Sequence, residues 1–439
     1  MRVCSRLRGA SSTAWTRSSS ATPWRLHEHR DPLISGGLLS EGQLRERVVR
    51  LAAFDRPSAS AGELRAAEHV AGELRALGAR VRIESETVHG TYWWPTGLPV
   101  AIATAGGVLA GGPSSAPRRV IGAALAVLGL AAVLDDLGGG SRWLRRRFLP
   151  RRETANVVAE LGDPDAERTV VFTAHHDAAR SGLIFHPELP RAFLRRFPAL
   201  LAHSNTSPPV MWGAVAGPAL VALGALTGGR RARRAGIAIS ATYTAAFVDI
   251  GLRAVVPGAN DNLTGVAALL SLAHALTAAG GPPGGLRVIM VSAGAEESHQ
   301  EGMSAYAARH FASLPADRTH VFCLDTLGSP RLAVLEGEGM LKMADYPAAT
   351  RDLLEGCAAE AGVDVLRGLR FRNATDGLIA LRAGYPCATL VSVDEFKVPT
   401  DYHWPTDTPD RVDYARVADA ARLCLALVRR LAPAGRLPG

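Results

Sequence analysis

His175 in Thr-Ala-His-His-Asp, Asp261 in Pro-Gly-Ala-Asn-Asp-Asn, Glu297 in Ala-Glu-Glu-Ser, Asp325 in Cys-Leu-Asp-Thr and His403 in Asp-Tyr-His-Trp-Pro share one chemical property. Each can donate a lone pair to a divalent cation. Imidazole and carboxylate oxygen, without thiolate, suit zinc, manganese or cobalt, and open positions in such a set suit catalysis. Two cations about 3.5–4 Å apart need a carboxylate that bridges them, and together they lower the pKa of a shared water. Asp261 is the bridging candidate. His175 with Asp325, and Glu297 with His403, would complete the two positions. Glu296 immediately precedes a ligand candidate, and in a tight turn its carboxylate can face the water as general base. Asp177, two residues beyond His175 on the same side of a strand, is placed to hold the imidazole N–H.

Such residues are useful only if the chain brings them together. Asn156–Leu161, Thr169–Ala174, Leu286–Ser292, His320–Leu324, Leu332–Leu335 and Ala388–Val393 read as short apolar strands. Val266–Leu276, Ala305–Phe311, Asp352–Ala361, Gly377–Ala383 and Tyr414–Leu431 read as helices between or after them. Alternation of this kind predicts an α/β fold, a three-layer αβα sandwich on a mixed, largely parallel sheet. His175, Glu296 with Glu297, and Asp325 then follow three strand C-terminal ends, the edge where open α/β sheets bind ligands. Asp261 lies in a turn just before the Val266 helix, whose N-terminus favours a carboxylate. His403 comes from a late Pro- and Asp-rich loop that can close over the site.

The rest of the chain is unusual for a soluble enzyme. Of 439 residues 47% are hydrophobic but only 6% aromatic, and the net charge of +8 is carried almost wholly by arginine, Lys342 and Lys397 being the only lysines. No basic face interleaved with aromatics is present, so nucleic acid is not an expected partner, and arginines beside apolar stretches fit a membrane surface better. Five scattered cysteines (Cys4, Cys323, Cys357, Cys387 and Cys424) form no Cys-x-x-Cys pair and predict neither a disulfide framework nor a thiolate metal site.

Residues 1–38 form an Arg- and Ser-rich stretch without an apolar core, expected to be a disordered tail. Residues 39–90 carry two amphipathic helical patterns and then Val81-Arg82-Ile83, which alternates like a strand. Four uncharged or nearly uncharged runs follow: Pro95–Pro117, Val120–Leu134, Pro209–Thr227 and Ala235–Val248. The first and third are long enough to cross about 30 Å of hydrocarbon as helices, whereas the second and fourth are short unless flanking residues snorkel. Trp93, Trp94, Trp143 and Trp212 flank them as interfacial residues would. The expectation is two hydrophobic hairpins, 95–135 and 209–251, inserted around a catalytic domain of 153–208 and 252–433. The alternative is buried Ala- and Gly-rich helices of a soluble, cytoplasmic protein. Arg142, Arg145, Arg146, Arg147, Arg151, Arg152 and further arginines beside the catalytic segments outnumber Arg118, Arg119 and the four-arginine cluster Arg230, Arg231, Arg233 and Arg234 in the hairpin turns, and favour a cytoplasmic catalytic side for a multi-pass membrane protein.

In sequence the chain resembles the M28 family of zinc peptidases, the co-catalytic aminopeptidase group, over residues 41–90 and 153–431. The matching blocks are His175-His176-Asp177, Pro257-Gly258-Ala259-Asn260-Asp261-Asn262 with Gly265, Glu296-Glu297 with Gly302, Asp325, Thr375-Asp376, and Tyr402-His403 with Asp407. The resemblance implies the same ligand set, two zinc ions, Glu296 as base, and peptide as substrate. In some members a tyrosine before the late histidine stabilises the tetrahedral intermediate, which gives Tyr402 that role here. Two departures stand out: Met303 replaces the serine common after the glycine of the Glu-Glu loop, and the hairpin between Asp177 and Asp261 lengthens a connection that is short in soluble members.

The leading expectation is thus a membrane-embedded metallo-aminopeptidase. A carboxypeptidase or amidohydrolase would use the same metals but needs a cation for the substrate carboxylate, for which Arg370 and Arg372 are candidates. A non-catalytic membrane binding protein is the third reading, and the intact Glu296 argues against it.

Overall fold

Ser40 and Ser60 begin the ordered fold as helix caps: each hydroxyl accepts a main-chain N–H three residues on, and Gln43 returns the bond to Ser40. The computed structural model describes residues 37–111 and 116–433, so the expected tail falls almost entirely outside the described residues. The elements follow in the order α1 (Glu41–Ala52), α2 (Ala61–Ala76), β1 (Arg80–Val88), α3 (Trp93–Leu109), α4 (Ala116–Leu137), α5 (Trp143–Phe148), β2 (Arg152–Gly162) and β3 (Arg168–His175). Then come α6 (Glu188–Arg196), α7 (Pro198–His203), α8 (Trp212–Thr227), α9 (Arg230–Leu252), α10 (Thr264–Ala278), β4 (Leu286–Ala293), α11 (Glu301–His310) and β5 (Thr319–Leu324). The chain ends with β6 (Arg331–Glu338), β7 (Ala344–Asp345), α12 (Ala348–Glu360), β8 (Val365–Phe371), α13 (Gly377–Arg382), β9 (Cys387–Val393) and α14 (Tyr414–Leu431).

The strands form one mixed sheet in the order β1-β2-β4-β3-β5-β9-β6-β7, with β8 also pairing β6. Its centre, β4-β3-β5-β9, is parallel, and strands near both edges are antiparallel. Central strands buried on both faces read as continuous apolar runs, which is why Val170–Phe172 and Val288–Val291 were recognisable in the sequence. One face packs on α1, α2, α10, α12 and α14 through residues such as Leu44, Val70, Leu270 and Leu423. The other packs on α11 and α13 through Met303, Tyr306 and Ala380. The expected αβα sandwich is the observed fold. Helix α10, which leads into β4, packs on one face and α11, which leaves β4, on the other, so the chain parts in opposite directions beside His175 and opens a crevice there. Strand β8 was not foreseen, because Arg367, Gly368 and Arg370 interrupt any apolar pattern.

Helices α3, α4, α8 and α9 pack together as a bundle outside this sandwich. Small residues let the backbones touch: a methyl group added at Gly106 would come within 2.5 Å of the Gly122 carbonyl oxygen, and one at Gly122 within 2.5 Å of the Gly106 oxygen. Large apolar side chains face outward instead, among them Val120 at 68% and Leu226 at 66% exposure. The expected span lengths are reversed. Helices α4 and α9, of 22 and 23 residues, are the two long and apolar enough to cross a bilayer, whereas α3 and α8 have 17 and 16. Pro-Pro and Gly-Gly pairs stop α8 on both sides although the flanks are uncharged, while Arg118, Arg119 and Arg230–Arg234 continue as helix. Arg145 is fully buried against Asp136, so it cannot count as a membrane-flanking surface charge.

Candidate metal centre

His175 ends β3, directly beside Ala293 of the parallel strand β4. Four residues beyond Ala293 the chain has turned through Ala295 (φ 50°) into a short 3-10 turn that holds Glu296 and Glu297, and it leaves through His299 (φ 67°) and Gln300 (φ 55°). Three non-glycine residues with positive φ carry strain that the surroundings must hold. The Asp177 carboxylate does much of this: it accepts the N–H of Glu296 (3.2 Å), the N–H of Glu297 (3.1 Å) and the Ser58 hydroxyl (2.6 Å), and its Oδ1 lies 3.3 Å from His175 Nδ1. Glu63 accepts the Ala295 N–H (2.7 Å) from the other side.

The Asn-Asp-Asn turn before α10 is fixed residue by residue. Asp407 accepts the N–H groups of Asn260 (2.7 Å) and Asp261 (3.1 Å). Asn260 accepts the Gly328 N–H (2.7 Å), while Asn262 donates to the Leu324 carbonyl (2.8 Å) and accepts from the Thr326 N–H (3.0 Å), so the turn is tied to the residues on either side of Asp325. Arg56, fully buried, donates to the carbonyls of His176, Pro257 and Gly258 and laces the β3 end to the same turn. Burial lowers its pKa to about 10, and neighbouring carboxylates, Asp407 foremost, oppose that shift. Neither Arg56 nor the two asparagines stood out in the sequence as supports, because their partners are main-chain groups remote along the chain.

All five ligand candidates come together. His175 Nε2 lies 3.2 Å from Asp261 Oδ1 and 4.0 Å from Asp325 Oδ2, and His403 Nε2 lies 3.3 Å from Asp261 Oδ2 and 3.1 Å from Glu297 Oε2. The donor atoms form groups able to hold an ion: His175, Asp261 and Asp325; Asp261, Glu297 and His403; and His175, Glu296 and Glu297. The two oxygens of Asp261 thus face two different groups. Burial, the largest influence, drives the carboxyl groups of Asp325, Glu296 and Glu297 upward, while the two imidazoles hold Asp261 far below the carboxylate range against the same burial effect. Glu297 Oε1, His403 Nδ1 and both oxygens of Asp376 are buried without a hydrogen-bond partner. So many buried acids, faced by two imidazoles and the Arg56 guanidinium, fit a site that takes divalent cations.

Glu296 projects beside this cluster, its Oε2 3.9 Å from His175 Nε2 and its Oε1 accepting from Gln300 (2.8 Å). Tyr402 stacks on the His403 ring at 3.9 Å, with Phe185 edge-on at 4.6 Å. Glu296, Glu297, Tyr402 and His403 line a cleft of about 560 Å³ together with Tyr92 and Met211 from the foot of the bundle. Of the other candidates, His176 is a packing residue bonded to Ser292, His186, His203, His274 and His310 lie elsewhere, and Met303 is buried in the sandwich core rather than in the cleft. His299, by contrast, lines the cleft.

An α/β sandwich with a cation-binding crevice at its carboxyl edge is a hydrolase architecture found among metallopeptidases. Residues 240–428 match the sequence model described as peptidase family M28. Sequence comparison with curated proteins finds no match. Among solved structures, an aminopeptidase from Aneurinibacillus sp. strain AM-1 aligns with a TM-score of 0.52 at 15% identity, covering 91% of this chain and 95% of that one. BSAP, a zinc aminopeptidase from Bacillus subtilis, aligns with a TM-score of 0.52 at 15% identity, covering 89% and 94%. Fimbriiglobus ruber glutaminyl cyclase aligns with a TM-score of 0.50 at 16% identity, covering 89% and 95%. At these identities the likeness is one of fold, and one fold here carries two different reactions.

Proposed function

We propose that the protein is a metal-dependent exopeptidase, most readily an aminopeptidase, that holds two divalent, zinc-type ions. The observation that carries this reading is Asp261, whose two oxygens serve separate groups, one completed by His175 and Asp325 and the other by Glu297 and His403. The M28 match and the named aminopeptidases of the same fold support it. When bound, the ions supply Lewis-acid activation of water and of the scissile carbonyl. Glu296 takes the proton of the attacking water and returns it to the leaving amine. Tyr402, kept protonated by burial and by the nearby Asp261, Glu297 and Glu296, donates a hydrogen bond to the tetrahedral oxyanion. Asp177 holds the Glu296–Glu297 backbone and the His175 ring in register.

The bundle is assigned to a bilayer. Small residues line its close helix crossings, many large apolar side chains such as Val120 and Leu226 face outward, and α4 and α9 have spanning length. The deciding experiment is metal analysis of the purified protein together with hydrolysis of free-amine, N-blocked and C-blocked peptides by wild type and Glu296→Gln. Bound metal in both, with turnover of free-amine peptides lost only in the variant, is the expected result. Equal activity in Glu296→Gln overturns the mechanism, and cleavage of N-blocked peptides overturns the aminopeptidase assignment. Solubility of the full chain without detergent would remove the membrane claim.

A further inference from the structure

The two arginines that a carboxylate-binding reading singles out have different fates. Arg370 is committed to Asp345, at 2.9 and 3.1 Å, on the outside of the fold. Arg372 lines the cleft that holds Glu296, Glu297, Tyr402 and His403, and among the described residues no carboxylate pairs with it. Among the described residues it is also the one permanently charged cation lining that cleft. Its guanidinium lies 4.8 Å from the centre of the Trp212 ring, within cation–π range. Trp212 opens α8, and its Nε1–H donates to the Met340 carbonyl at 2.9 Å, so the ring is fixed. The Arg372 main-chain N–H donates to the Ser207 hydroxyl (2.8 Å), and Ser207 in turn donates its own N–H to the Arg370 carbonyl (2.9 Å). The segment leading into the inserted bundle therefore docks along the end of β8 and aims this side chain.

A cleft lined both by buried acids and by a held guanidinium imposes polarity on a peptide. The acid cluster, before or after it takes its cations, suits a free amine and a scissile carbonyl; the guanidinium suits a carboxylate. We propose that Arg372 receives a carboxylate of the peptide substrate, either the C-terminal carboxylate of a short peptide or an acidic side chain just beyond the scissile bond. This rests on the exopeptidase reading and adds a substrate class to it. Because stacking on Trp212 and the Ser207 bond hold the residue before substrate arrives, little ordering is needed on binding.

The test compares Ala-Leu with Ala-Leu-amide for the first source, and Ala-Glu-amide with Ala-Gln-amide for the second, in wild type, Arg372→Gln and Arg372→Lys. The kinetics are paired with calorimetric binding of the same four peptides to Glu296→Gln with and without Arg372→Gln. A carboxylate preference of roughly ten- to hundredfold, expressed mainly in KM, is expected in one pair. Arg372→Gln should bring the acid down to its amide partner, and Arg372→Lys should restore part of the difference. Equal handling of acid and amide in both pairs, or a preference that survives Arg372→Gln, overturns the assignment of Arg372. Turnover without preference leaves the exopeptidase reading standing, whereas Arg372-dependent binding without turnover overturns that reading and keeps the carboxylate receptor. Neither binding nor turnover overturns both.

Discussion

Replacing Arg145 by Met should be among the most destabilising single changes available in this chain. The guanidinium is wholly buried, with all three nitrogens engaged: Nε and Nη2 bond the two oxygens of Asp136 at 2.9 Å each, Nη1 donates to the Ser298 carbonyl at 2.8 Å, and Nη1 lies 3.3 Å from Glu301. Asp136 ends α4, and Ser298 belongs to the turn that carries Glu296 and Glu297, so one side chain joins the bundle to the candidate centre. After the substitution Glu301 still accepts from the N–H groups of His89 and Gly90 and from the Ser298 hydroxyl, whereas Asp136, 3% exposed, keeps a long bond from Thr96 (3.4 Å) and His299 Nε2 at 3.8 Å, beyond hydrogen-bond range. The stranded group is therefore Asp136. Removing one partner of a buried ion pair costs about 3–5 kcal/mol, and the lost donor to Ser298 falls within that range rather than adding to it. Equilibrium unfolding of detergent-solubilised protein by denaturant, for wild type, Arg145→Met, Asp136→Leu and the double variant, measures this. The double variant should recover at least half of the loss, because no uncompensated charge remains. A cost for Arg145→Met below about 1 kcal/mol, or a double variant no more stable than Arg145→Met, would refute the reasoning.

Three further outcomes are expected. Asp177→Asn keeps the shape but weakens the hold on His175 and on both glutamate N–H groups, so metal affinity measured by competition with a chelator should fall about 10–100-fold; unchanged affinity would show that Asp177 only fills space. Burial pushes the Glu338 carboxyl up to about 7 from an ordinary value near 4.5, against hydrogen bonds from Tyr346 and Thr375. Below about 4.5 both folded and unfolded states hold the proton, and between about 4.5 and 7 only the folded state does, so stability falls by about 3 kcal/mol as pH rises through that window and stays lower above it. Glu338→Gln should flatten this share of the pH dependence in unfolding titrations at pH 5 and pH 8, and an unaltered slope would discount it. Gly106→Leu must force α3 and α4 apart, since even a Cβ meets backbone there; it should destabilise the detergent-solubilised protein by about 1–3 kcal/mol, and a neutral effect would argue against the close crossing.

The sequence made some of this legible and left some of it closed, for definite reasons. Central strands such as Thr169–Ala174 are buried on both faces, and residues of one type in a row are hard to misread. The acids and imidazoles were legible by type, because few other roles need His175, Asp261 and Glu297 after strand ends. Their supports were not. Arg56 is 120 residues from the His176 carbonyl it binds, and Arg145 is 153 from Ser298; an arginine bonded to main chain leaves no mark on its partner's identity. Hydropathy misjudged the span lengths because it counts missing charge, whereas Pro-Pro and Gly-Gly end a helix regardless of polarity. The arginine tally overcounts similarly, since a buried Arg145 and an exposed Arg146 are the same letter.

The position of the bundle follows from where its helices attach. Tyr92 and Trp93 lead into α3, Leu137 closes α4, Val210 and Met211 lead into α8, and Ile250 lies near the end of α9; all pack in one apolar cluster with Phe185 and Tyr402. Phe185 and Tyr402 are also the residues that flank His403. These crossings between bundle and sandwich gather beside the cleft, so the bundle is a wall of the site and not a tether set apart from it. A tether could be exchanged for any other anchor. A wall contributes Tyr92, Met211 and the Trp212 ring beneath Arg372, and its register against the sandwich is held by Arg145 and Ser207. Any shift of α4 or α8 would be transmitted to the glutamate turn through Ser298 and to the guanidinium through Trp212, which makes the bundle's packing a condition of the cleft's geometry.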